Sequence, residues 1–73
     1  MPSLCDIPAG TTVEIVAMQG KMPSIRRFMD LGIIKGAKII VKKRAPLGDP
    51  MEIAVNGQEL SIRKDEAKHI LVK

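Results

Sequence analysis

The sequence predicts a mostly-β fold: a small barrel of about five short strands with one short inserted α-helix. Three observations predict it. Short runs alternate apolar and polar residues, as with Met51, Ile53 and Val55 against Glu52, Ala54 and Asn56. That period of two marks a strand buried on one face. Asn56-Gly57 separates two such runs and is the strongest short hairpin signal a sequence carries. One stretch alone, Ile25 to Leu31, has helical spacing and a clear stop, and a helix of about two turns must lie on something to persist in water.

Taken in order, Leu4 and Ile7 read as apolar pegs under the domain, and Pro8-Ala9-Gly10 as a turn. Val13, Ile15 and Ala17 alternate with Glu14, Val16 and Met18 in a first strand, which Gln19-Gly20-Lys21 breaks. Pro23 and Ser24 open the helix, since serine caps well and proline is tolerated in the first turn. Ile25, Phe28 and Met29 share the face expected to cap the barrel, with Met29 in the core and Met22 on the surface. Gly32 is expected to close the helix with a positive φ, where other residues meet a Cβ clash. Gly36 marks the turn into a second strand, Lys38 to Arg44, centred on Ile39-Ile40-Val41.

Ala45-Pro46-Leu47-Gly48-Asp49-Pro50 reads as a wide exposed excursion, because two prolines and a glycine oppose a tight hairpin. The third strand runs from Met51, the Asn56-Gly57 turn follows, and Leu60 and Ile62 mark the fourth. Lys64 to Lys68 is polar and suits one helical turn, and Ile70-Leu71-Val72 is a fifth strand. Val13, Ile15, Phe28, Ile39, Val41, Ile53, Val55, Leu60, Ile62 and Ile70 should form one core.

Seventy-three residues make one small domain, 1–73, with 45% hydrophobic content and no internal repeat. A single cysteine, Cys5, forms no internal disulfide. The aliphatic runs are three residues long, against the roughly 20 that span a bilayer, so no direct membrane insertion is expected. Met-Pro-Ser-Leu-Cys-Asp does not resemble a signal peptide, and a cytoplasmic location is expected. The net charge is +4 and the pI about 9.6, which raises nucleic acid, an acidic membrane surface or an acidic protein as partners.

No catalytic constellation appears. His69 and Cys5 are far apart in sequence, and each lacks a neighbour that would make it a base or nucleophile. Gly32-x-x-x-Gly36 lacks the lysine and hydroxyl ending of a phosphate loop. Asp65, Glu66 and His69 are the one local group of metal-ligand types, and on a single exposed turn they read as a solvated face, so neither metal nor cofactor is expected. A nucleic-acid surface would use Lys42-Lys43-Arg44 with Lys35, Lys38, Arg26 and Arg27. Phe28 is the sole aromatic and belongs to the core pattern, which leaves no stacking platform, and nucleic acid is not the expected partner.

Together these elements resemble the FeoA family of bacterial ferrous-iron transport proteins. The resemblance rests on Arg26-Arg27-Phe28-Met29-Asp30-Leu31-Gly32 with Gly36, on Ala45 to Pro50, on Asn56-Gly57 and Leu60-Ser61-Ile62-Arg63, and on the closing Ile70-Leu71-Val72. It covers nearly the whole chain. It implies an SH3-like barrel with an inserted helix, and an accessory role beside FeoB, a membrane Fe(II) transporter with a cytosolic GTP-binding domain. It also implies kinship with the C-terminal module of DtxR-type iron-dependent repressors. The start at Met1, with no helix-turn-helix ahead of the barrel, favours the transport protein. The alternative is a small basic nucleic-acid-binding barrel or a metal-linked regulatory module.

The expected docking surface is Arg26, Arg27, Asp30, Ile33, Ile34 and Lys35. The two arginines sit at the positive end of the helix dipole and Asp30 at the negative end, so helix stability does not explain them. Ile33 and Ile34 are adjacent just past a helix stop, where both are hard to bury together. Arginine beside exposed aliphatic surface favours hot spots. Phe28, Gly32, Gly36, Asn56 and Gly57 are expected to be structural, and the Ala45–Pro50 loop is the competing surface.

Overall fold

A computed structural model describes residues 2–19 and 25–73. Its strands are β1 (Thr12–Met18), β2 (Lys38–Arg44), β3 (Met51–Val55), β4 (Gln58–Ile62) and β5 (Ile70–Val72). Two short helices join them: α1 (Ile25–Asp30) and α2 (Lys64–Ala67). The expectations for Gly20, Lys21, Met22, Pro23 and Ser24 lie outside the described residues.

All five strands form one antiparallel sheet in the order β4-β3-β2-β1-β5. The single turn of α2 carries the chain from one edge strand to the other, so the sheet curls round its own apolar face. Register shifts between Ile15 and Ala17 and between Val41 and Lys43 sharpen that curl, because a bulge bends its strand and increases the local twist. The body measures 27 × 23 × 22 Å, a closed shape rather than a flat sheet.

Alternation places the core where the period of two put it. Val13, Ile15, Ile39, Val41, Ile53, Val55, Ile62 and Ile70 are buried, and Phe28 seals them from α1. Leu60 is half-buried against the cluster rather than inside it, being on an edge strand. Leu4, Met51, Ala67 and Val72 join the core as well.

Two corrections concern α1. Met29, expected in the core, is 51% exposed, and Ile33, expected on the surface, is fully buried. One geometry explains both. The helix stops at Asp30, so only Phe28 points fully inward, with Ile25 half-buried. The Gly32 amide then donates to the Met29 carbonyl at 3.0 Å and the Ile33 amide to the Phe28 carbonyl at 2.9 Å. This is the Schellman pattern, in which the residue after the left-handed glycine folds back onto the third residue from the helix end. Ile33 is thereby the residue that joins Phe28 in the core, where the sequence reading has Met29. Gly32 has φ +94°, as its position requires.

The β2–β3 connection also differs from the wide excursion expected. The Ala45 amide donates to the Pro50 carbonyl at 3.1 Å and the Gly48 amide to the Ala45 carbonyl at 2.7 Å. The bond from Ala45 to Pro50 closes the loop into a hairpin, and the Asp49-Pro50 peptide is cis. The β3–β4 turn is as read: Asn56 at φ 53° and Gly57 at φ 78° give the doubly left-handed turn that matches strand twist.

Ahead of β1, Leu4–Asp6 forms a short 3-10 helix, and Leu4, read as an apolar peg, is buried. The Ser3 amide donates to the Asp6 carboxylate at 3.2 Å, and the Ser3 hydroxyl does so at 3.1 Å. Arg44 holds this segment on the barrel: its guanidinium donates to the carbonyls of Cys5 at 2.6 Å and Ile7 at 2.7 Å. Pro2 accepts the Val72 amide at 3.0 Å, so the N-terminal segment runs beside β5.

Candidate functional site

The outer face of α1 and the turn after it form the surface the sequence singles out. Arg26, Met29 and Asp30 are exposed on the helix, and Ile34 and Lys35 are exposed beyond it. Ile33 does not belong to this surface, because it is in the core. In its place Met29 contributes an exposed thioether side chain, and Ile34 is 47% exposed.

Arg27 is exposed but already engaged. Its guanidinium lies 3.6 Å from the Glu66 carboxylate on α2 and 4.9 Å from the centroid of the Phe28 ring. The same Glu66 carboxylate accepts the Arg63 amide at 3.1 Å, so one side chain ties α1 to the start of α2. That accounts for a cation placed against its own helix dipole. Such a half-exposed pair is worth about 1 kcal/mol or less. Arg26, Asp30 and Lys35 have no ion pair among the described residues.

The remaining marked positions separate by role. Gly36 follows the helix stop at φ +90°, and its amide donates to the Ile15 carbonyl at 2.8 Å, tying this turn to β1. In the competing loop, Leu47 is 94% exposed at the tip of the closed hairpin. Its neighbour Asp49 accepts the Lys64 amide at 3.0 Å, so the loop also anchors the first turn of α2. No pattern in the sequence pairs Asp49 with Lys64, because the contact is long-range. Ile33 was within reach of sequence reasoning: an apolar residue directly after a helix-closing glycine is the Schellman signature.

The basic run divides. Lys42 is exposed, Lys43 lies 3.8 Å from Glu52, and Arg44 is spent on the carbonyls of Cys5 and Ile7. The acidic turn divides likewise, with Asp65 beside Lys68 at 3.8 Å and Glu66 on Arg27. Among the described residues no three His, Cys, Asp or Glu side chains converge as a metal ion would need. Cys5 is a half-buried free thiol with its sulfur 3.1 Å from the Ser3 hydroxyl. The Asp6 carboxyl is held below its ordinary range, first by the Ser3 amide and then by the Ser3 hydroxyl. Among the described residues no helix is long and apolar enough to cross a membrane.

Comparison with known proteins adds a family. A family model described as the FeoA domain matches residues 3–73. The FeoA protein of Chlorobium tepidum is similar in structure, with TM-score 0.89 and 41% identity over 96% of this chain and 67% of that one. FeoA of Stenotrophomonas maltophilia, described as a prokaryotic SH3 domain protein, is similar at TM-score 0.85 and 25% identity, over 100% of this chain and 91% of that one. A fusion of Fe(2+) transport protein A with the Fe(2+) transporter FeoB, from Porphyromonas gingivalis, is 29% identical over 96% of this chain. The chain spans 8% of the length of that relative.

Proposed function

The chain belongs to the FeoA family, and from that premise we propose that it is an accessory protein of Fe(II) uptake that docks on the cytosolic part of a FeoB-type transporter. In this reading residues 1–73 act as one SH3-like interaction domain on the cytoplasmic side, by contact rather than by bond chemistry. The Porphyromonas gingivalis relative supports the partner, since it carries both names in one polypeptide. Fusion holds two binding modules at high effective concentration, which is useful where the two bind each other.

The docking surface we assign is Arg26, Asp30, Ile34 and Lys35, with Met29 in place of Ile33. One observation carries it: Met29 and Ile34 stand half in water on either side of the Gly32 stop, among charges that have no partner in the described residues. A flexible thioether and an aliphatic side chain beside an arginine are a favoured interface composition. Arg27 is left out of the test because it is held by Glu66.

Arg26→Glu combined with Lys35→Glu should leave the unfolding curve within about 0.5 kcal/mol of wild type, as exposed changes usually do. It should also abolish co-purification with the cytosolic part of FeoB. Retention of FeoB by this double variant, with loss on Leu47→Asp, would move the docking surface to the β2–β3 hairpin tip.

A further inference from the structure

We propose that the free edge of β4 is a self-complementary strip on which a second copy of this chain pairs antiparallel, with Glu59 of each copy opposite Arg63 of the other. This strip shares no residue with the docking surface assigned on α1, although Arg27 lines the groove beside Ser61 and Arg63, and it does not depend on a transporter.

The pairing pattern shows which backbone groups are open. Val55 and Gln58 close a two-residue turn, so their amide and carbonyl groups face each other. Antiparallel ladders alternate, so Ile53–Leu60 and Met51–Ile62 are bonded in the same way. The amide and carbonyl groups of Glu59 and Ser61 therefore point away from β3. β4 is the last strand of the sheet, and no backbone bond from the described residues meets these groups. An open edge of this kind is a ready template for another strand.

Side chains choose the occupant. Glu59, Ser61 and Arg63 are exposed and share the outer face, while Leu60 is half-buried and Ile62 is in the core. Neither Glu59 nor Arg63 has an ion-pair partner among the described residues. An antiparallel strand that satisfies both must carry an acid four residues before a base. β4 with Arg63 is itself such a segment. A two-fold axis beside Ser61 places Ser61 opposite Ser61 and brings the two Glu59–Arg63 pairs into register, which is the self-complementarity an isologous contact requires. The Arg63 amide already donates to Glu66 and its carbonyl already accepts from α2, so backbone pairing centres on Ser61 and the contact is weak.

Sedimentation velocity at millimolar protein and low salt should show a reversible dimer that dissociates as salt is raised. Glu59→Arg and Arg63→Glu should each weaken it by roughly tenfold or more, because two attractive pairs become repulsive. An equal mixture of the two variants should restore a dimer, since each supplies the charge the other lacks. Ser61→Pro should remain folded, its amide facing solvent on an edge strand, and should be monomeric. A monomeric wild type under these conditions overturns the proposal, as does a dimer that ignores the charge variants or a mixture that fails to recover. Protection of the Ser61 amide from exchange only on adding the cytosolic part of FeoB would also overturn it, in favour of a partner strand.

Discussion

A Cβ built on Gly32 would land on the side-chain amide of Asn56. Gly32 closes α1 and Asn56 opens the turn between β3 and β4, so the helix stop rests against a hairpin tip far along the chain. Both residues hold left-handed backbone, at φ +94° and 53°. The left-handed dihedral requires glycine at position 32, and a Cβ there would in addition have to displace the exposed side chain of Asn56.

The two contributions separate in a double-mutant cycle. Gly32→Ala should cost the roughly 1–2 kcal/mol of a left-handed Cβ plus the displacement of Asn56. Asn56→Gly keeps a residue that tolerates positive φ and removes the amide. In that background Gly32→Ala should cost less, leaving the dihedral part alone. Chemical denaturation measures all four proteins; equal costs of Gly32→Ala in both backgrounds would show that the approach of Asn56 contributes nothing.

Arg44 carries a structural load that its basic neighbours do not. Arg44→Met retains the aliphatic stem but removes the bonds to the Cys5 and Ile7 carbonyls. Charged hydrogen bonds are worth about 1.5–3 kcal/mol each, and the loss should fall in or above that range. The Val72 amide, bonded to Pro2, should exchange faster as the N-terminal segment loosens. A melting curve unchanged from wild type would remove Arg44 from this role.

Asp6 gives the segment a pH dependence of known sign. Its carboxyl is depressed in the folded protein below its ordinary value of 3.8, chiefly by the Ser3 amide. The contribution is therefore complete above about pH 3.8 and is lost as pH falls through the lower, folded value. Asp6→Asn should lack this component, so its difference from wild type should shrink as pH falls through that window. Unfolding at a series of acidic pH values checks it; a constant difference would show that the carboxyl titrates alike in the folded and unfolded chain.

Much of the candidate surface was legible because exposure follows from helical phase. Arg26 and Asp30 are outward for that reason. The face failed at Met29, which the helix leaves exposed beside the buried Phe28, and at Ile33, which the closure after Gly32 folds into the core. Periodicity reports which residues share a direction, and it does not report which residue beyond the helix stop folds back onto the core. Arg27 shows the other failure. Its charge opposes the dipole, which reads as a signal for an outside partner, yet Glu66 on α2 supplies the partner from within.

By itself the sequence determined the strand set, the Asn56-Gly57 turn, the glycine stop at Gly32 and most of the apolar core. These follow from interactions within a few residues: alternation, turn dihedrals and the absence of a Cβ. Only the tertiary structure decided that Arg44, Asp49 and Glu66 are fastenings between distant segments. Each of those outcomes depends on a group far away in the chain. A side chain's range of bonding partners is written in its chemistry, but the choice among them is made by which segments the curled sheet brings within hydrogen-bond reach.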